Sequence, residues 1–244
     1  MRKIKMDFTI KKYEQLISVL KPGDYTVLKY LKQGNSFILR HDVERMIGNA
    51  LEMAKLENKH GIKSTYYFRI PYSFNRKIID KIHKKGHEIG YHYETLAKAK
   101  GDYQKAIDLF KKEHAMFNQW NVKTISMHGS PASGFDNKEL WKEFDFKKLG
   151  LIGEAYLSID FKKIPYATDT GRAWNKTQLS RRDKVKTEMP NIRNTDDLIL
   201  KIKHKELTKL YITTHPHRWN DNKLKWLREL VWQSTKNIVK RWVV

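Results

Sequence analysis

The chain contains no cysteine. That excludes a disulfide framework and any thiolate zinc site, so a metal bound here must take imidazole, carboxylate and water as ligands. Long apolar runs are missing as well. The basic start "MRKIKMDFTIKKYEQL" is not followed by the roughly 7 to 15 apolar residues of a signal-peptide core, and no segment approaches the roughly 20 of a membrane span. The expected address is therefore cytoplasmic, with peripheral attachment at the inner membrane face as an option. No Gly/Ser linker and no internal repeat interrupts the chain, which favours one domain over residues 37–244 behind an N-terminal helical extension, residues 1–36.

Acidic residues are scarce beside basic ones. The 244 residues carry 27 Asp+Glu against 49 Lys+Arg, a net charge of +22, more than solubility requires, which points to an anionic partner. Nucleic acid, a membrane surface, a phosphorylated carrier and an acidic sugar all qualify. The basic residues are spread along the chain, as they would also be in a generally lysine-rich surface. The 7 Trp and 12 Tyr mostly fall at core spacing and no nucleic-acid module is recognisable, so nucleic acid ranks lowest.

From residue 37 onward, short apolar runs alternate with helical patterns. "FILRHDV", "STYYFRI", "HEIGYH" and "KTISMHG" read as strands, each followed by a helical segment, and "LGLIGEAYL", "IPYATDTG" and "KLYITTHP" complete seven candidate strands. Gly61 and Gly86 close two of the helices. "NKLKWLRELVWQSTKNIVKRW" reads as a closing helix. Successive βα units argue for an α/β fold with parallel strands, layered or barrel-like. The basic stretch from Thr170 to Asn194 is the one long segment without clear periodicity.

The polar residues at the strand ends carry the chemistry. They are Arg40, His41, Asp42 and Glu44; Arg69; His92 and Glu94; His128; Asp169 and Arg172; and His215 and His217. In parallel α/β folds the C-terminal strand ends form the face that carries active sites. Four of the ten histidines (His41, His92, His128 and His215) fall at this edge. Residues two apart on a strand point the same way, so Asp42 and Glu44 share a face, as do His92 and Glu94. Imidazoles and carboxylates gathered there are what a divalent N/O site requires, with groups left over for proton transfer. His60, His83, His114 and His204 lie in lysine-rich helical patterns and read as solvated. His87 precedes its strand and, with Glu88, reads as structural.

The segments "FILRHDVERMIGNALEMAKLENKHGIKSTYYFR", "GHEIGYHYE", "MHGSP", "YATDTGRAW" and "YITTHPHRW", in this order, resemble the NodB-like polysaccharide deacetylases of carbohydrate esterase family 4. The likeness is to a divergent branch associated with bacterial surface-polysaccharide biosynthesis, and it spans roughly residues 37 to 219. It implies a distorted (β/α)7 barrel and a divalent metal, zinc by preference. Asp42 matches the catalytic base and His215 the catalytic acid. His92 matches a metal-binding histidine, and Glu44 stands in for a ligand aspartate whose position is occupied by Val43. The second histidine ligand falls on Leu96, so His128, or else Glu94, must complete the site. Asp169 and Trp174 match a motif that orients the catalytic histidine; with Arg69 and Arg172 they are candidates for substrate contact. The implied activity is metal-dependent removal of an N-acyl group, N-acetyl in the first instance, from an amino sugar. A nucleotide-linked or lipid-diphosphate-linked sugar suits the basic surface. The alternatives are a non-catalytic carbohydrate-binding relative that has lost its metal and, below that, a basic protein that binds nucleic acid or a membrane surface.

Overall fold

A computed structural model of the chain describes residues 6–130, 133–174, 185 and 190–243, the last five by backbone only. Its strands are β1 (Gly23–Asp24), β2 (Phe37–Val43), β3 (Ile62–Lys63), β4 (Thr65–Phe68), β5 (Glu88–Tyr93), β6 (Thr124–Met127), β7 (Gly153–Glu154), β8 (Tyr166–Thr168) and β9 (Leu210–Thr214). The helices are α1 (Ile10–Ile17), α2 (Val27–Gln33), α3 (Ile47–Lys59), α4 (Arg76–His83), α5 (Thr95–Lys98), α6 (Tyr103–Ala115), α7 (Leu140–Glu143), α8 (Thr195–Lys203) and α9 (Lys223–Val243). Side chains of Thr9, Thr26, Asn75, Asp102 and Asn194 accept hydrogen bonds from first-turn amides of α1, α2, α4, α6 and α8. Such residues favour this position because they satisfy N–H groups that have no partner inside the helix.

Seven strands form one parallel sheet in the order β7-β6-β5-β4-β2-β9-β8. The sheet is curled into a half-barrel. Strand spacing of about 4.8 Å would hold β2 and β6, three positions apart, about 14 Å from one another if the sheet were flat. Instead Arg40 Nη2 on β2 donates to Ser126 Oγ on β6 at 2.7 Å, and Tyr211 on β9 reaches the Ala155 carbonyl beyond β7 at 3.4 Å. β1 and β3 form a separate two-stranded parallel pair. Most of the basic stretch 170–194 lies outside the described residues.

Alternation along β2 divides its chemistry between two faces. Arg40 points into the concave side, where its guanidinium lies 4.3 Å over the Tyr156 ring and donates to the Tyr211 hydroxyl at 3.1 Å. His41 points to the opposite side, beneath α3. There its Nε2 meets Glu57 Oε1 at 2.7 Å and its Nδ1 meets Thr214 Oγ1 at 2.7 Å. Ser64 Oγ and Tyr66 OH donate to Glu57 Oε2 at 2.6 and 2.8 Å, and Tyr13 of α1 also donates to this carboxylate. Every member of this hub is fully buried. Burial works to raise the Glu57 pKa, but His41 and then His87 and Ser64 overcome it and leave the group at about 2. His87 joins the hub from the N-terminal end of β5, accepting from the Ser64 amide and bonding to the Ala54 carbonyl.

Gly90 sits at the tightest crossing of the concave side. A Cβ there would lie 2.2 Å from the Tyr67 ring and 3.0 Å from the Thr124 carbonyl oxygen, so only glycine lets Tyr67 pass across β5. Among the described residues no helix is long and apolar enough to cross a membrane.

Candidate metal centre

The C-terminal ends of the strands deliver six polar groups to one rim of the half-barrel. Asp42 is the last residue but one of β2 and Glu44 follows the strand; His92 lies in β5; His128, Asp169 and His215 come directly after β6, β8 and β9. Val43 and Met46 set the position of Glu44. The Val43 carbonyl accepts from Ser73, and Met46, in the left-handed region at φ 52°, turns the chain into α3.

Glu44, His92 and His128 each offer a ligand atom, and these atoms lie within 4.8 Å of one another. Glu44 Oε1 is 3.6 Å from His128 Nε2. Both imidazoles are oriented for coordination. His92 Nδ1 faces the Ser126 carbonyl at 3.0 Å. Only an N–H makes a bond there, so the neutral ring carries its lone pair on Nε2, toward the cluster. Burial pushes His92 down to about 4, against the pull of Asp42, which favours that neutral ring. His128 Nδ1 is held by Glu94 Oε2 at 2.9 Å, and the same carboxylate accepts from Arg69 Nη2 at 2.6 Å and Ser130 Oγ at 3.1 Å. A carboxylate behind a histidine, with the far nitrogen facing a cluster, is the usual support for a metal ligand. Burial lowers the His128 pKa, but Glu44 and Glu94 on either side outweigh it and bring the group up to about 9, so a cation binds at Nε2 by displacing its proton. Burial also opposes ionisation of Glu44, yet His128, His215 and His217 hold its pKa well below the ordinary value. An ionised carboxylate and two anchored imidazoles form a donor set that fits a divalent cation, and it is one used by catalytic zinc sites with an open position.

Two carboxylates flank the cluster in different states of engagement. Arg40 grips Asp42 with two hydrogen bonds, Nε to Oδ1 at 2.8 Å and Nη2 to Oδ2 at 2.6 Å. Burial would raise the Asp42 pKa, but Arg40, then His92, keep it below its usual value. Its Oδ2 lies 4.0 Å from His92 Nε2. On the other side Asp169 Oδ1 meets His215 Nδ1 at 2.6 Å. Asp169 also accepts from the His215 amide at 2.9 Å, Arg218 Nη1 at 2.8 Å and Trp219 Nε1 at 2.7 Å. Burial opposes its ionisation; Arg218 and His215 more than compensate, and the pKa falls well below the carboxylate range. His215 is thereby fixed with Nε2 directed to Glu44 Oε1, 3.7 Å away.

Glu44, His92, His128, Asp42 and His215 meet at one rim, and Glu94 stands behind His128 as its support. Leu96 is buried in the main apolar core. Three expectations are corrected. His41, although at the strand end, is turned to the opposite face by the alternation that brings Asp42 inward. Trp174 is 1% exposed, packed against Phe8 and Trp219 and bonded to Thr195 Oγ1 at 3.0 Å, so it has no surface for substrate. Asp169 has no exposure either and contacts His215, Arg218 and Trp219 instead. Arg69 reaches Glu94 and lies over the exposed Tyr72 ring. Arg172 donates to the Arg218 carbonyl and lies against the Phe8 and Trp226 rings. Sequence reasoning missed Arg218 and placed Arg40 and His217 at the strand ends without giving either a role; His217 is buried with its Nε2 3.9 Å from Glu44 Oε2. Arg40 had a signal, since it lies two residues before Asp42 on the same strand face. No family model, curated protein or solved structure matches the chain.

Proposed function

We propose that this protein is a metal-dependent hydrolase that removes an N-acyl group, N-acetyl in the first instance, from an amino sugar during surface-polysaccharide synthesis. The observation that carries the reading is the convergence of Glu44, His92 and His128 between an ionised aspartate and an aspartate-anchored histidine. These three residues would hold the cation, zinc by preference, which supplies Lewis-acid activation of the amide carbonyl and of water, worth several kcal/mol.

The chain's own groups do the rest. Asp42, kept ionised by Arg40, accepts the proton of the attacking water. The water oxygen bonds to the acyl carbon, the C–N bond breaks, and His215 gives a proton from Nε2 to the departing amine while Asp169 balances the charge at Nδ1. The products are the free amine and a carboxylate. The net charge of +22 favours a substrate carried on a nucleotide or lipid diphosphate.

One observation favours a second reading. Both Asp42 oxygens already accept from Arg40, which would suit a non-catalytic carbohydrate-binding protein in which Asp42 is structural. Acetate release from N-acetylated sugars and sugar nucleotides, by protein loaded with zinc, cobalt or nickel, separates the two. The hydrolase reading predicts turnover that falls by about 100-fold or more in Asp42→Asn. No release by the metal-loaded protein across that panel, or undiminished release by Asp42→Asn, would overturn it.

A further inference from the structure

A surface helix ordinarily buries its apolar stripe and turns its polar face outward. α9 does the reverse. Leu224, Leu227, Val231, Trp232 and Ile238 are each at least half exposed, and the spacing of Leu224, Leu227, Val231 and Ile238 places those four on one face. The side turned to the protein is mixed: Glu229 and Gln233 are buried, with Trp226 and Leu230 half-buried beside them. Arg45 bonds both Glu229 oxygens at 2.9 and 2.7 Å, Trp226 Nε1 donates to the Asp7 carbonyl at 2.6 Å, and Asn237 Nδ2 donates to the Gly171 carbonyl at 3.1 Å. The helix is seated on the rim of the half-barrel by hydrogen bonds and ion pairs, with its apolar stripe facing out.

The charge on this helix is equally one-sided. From Lys223 to Val243 there are six basic residues (Lys223, Lys225, Arg228, Lys236, Lys240 and Arg241) and a single acidic one, Glu229, which faces inward and is paired with Arg45. We propose that the outward face of α9 is a docking surface for an anionic lipid bilayer, with Leu224, Leu227, Val231 and Ile238 entering the acyl boundary and the exposed Lys223, Lys225 and Arg228 beside them meeting acidic headgroups. Trp232, with Lys236 Nζ 4.9 Å from its ring centroid, has the amphipathic character of an interfacial anchor. Charge complementarity selects this occupant. A second copy of the chain would set two cationic helices against each other, and a nucleic acid offers nothing to an apolar stripe. This inference rests on α9 alone and is independent of the hydrolase reading.

The test is flotation of the full chain with phosphatidylcholine vesicles made with and without phosphatidylglycerol. The expected result is retention on the anionic vesicles at least about tenfold stronger than on the neutral ones, weakening as salt screens the electrostatic part. Leu227→Gln/Val231→Gln removes apolar contact and no charge. It should lower retention by about tenfold at an unchanged melting temperature, because both side chains are already exposed. Equal retention of this variant, or no retention of the parent chain on either vesicle, would overturn the proposal. So would a concentration-dependent dimer that the variant abolishes, because it would assign the stripe to a second copy.

Discussion

At the scale of single residues, the account turns on how His128 is held. Its Nε2 faces Glu44 and its Nδ1 is fixed by Glu94, so Glu94 acts on the centre without touching it. Glu94→Gln keeps the shape and removes the charge. It should weaken divalent-metal affinity by about 10- to 100-fold, measured by competition with a chromophoric chelator, while the three ligands remain in place. If Glu94→Gln binds metal as tightly as the parent, Glu94 has no supporting role. The sequence made most of this site legible because period-two alternation and strand ends can be read from a string: Asp42, Glu44, His92, His128 and His215 all appear there. It could not choose between His128 and Glu94, because that choice depends on how strongly the sheet curls between β5 and β6. The same alternation, applied to His41, would have turned that residue away from the site.

Among the elements, β2 carries two buried polar pairs back to back, the Arg40–Asp42 ion pair on the concave side and the His41–Glu57 hydrogen bond beneath α3. The Glu57 hub ties α1, α3, β2 and β4 together and lies outside the candidate site. Glu57→Gln should cost about 3 kcal/mol, because it leaves buried donors facing a neutral amide, read as a lower denaturant midpoint with metal binding intact. The pH dependence has a defined sign. The folded-state pKa of Glu57, about 2, lies below its ordinary value, so the stabilisation is complete above about pH 4.5 and is lost as pH falls from there through about 2. The parent should therefore lose stability across that window faster than Glu57→Gln does. Parallel slopes would show that the hub contributes nothing to acid sensitivity. All seven strands of the main sheet fall within runs legible as strands, although the run "LGLIGEAYL" contains only the two residues of β7. β1 and β3 lie outside those runs, and at two residues each they show no period of their own.

At the scale of the whole molecule, the fold is a curled parallel sheet whose concave side is filled by Arg40 and tyrosines and whose C-terminal rim gathers imidazole and carboxylate. The sequence indicated the parallel α/β order, but the half-barrel curvature rests on contacts such as Arg40 with Ser126 and Tyr211 with Ala155, between residues far apart in the chain. The outward stripe of α9 was likewise hidden, since a helical pattern shows that one face is apolar and not which way it points. Metal stoichiometry on the purified, chelator-stripped chain, by elemental analysis and by the visible spectrum of added cobalt, tests the Glu44, His92 and His128 centre directly. One tightly bound divalent cation per chain is expected. At 100-fold excess over its dissociation constant the cation adds about 3 kcal/mol, or roughly 5 to 10 °C in melting temperature, and both signals disappear in His92→Ala and His128→Ala. Absence of stoichiometric binding, or binding that survives both substitutions, would contradict it.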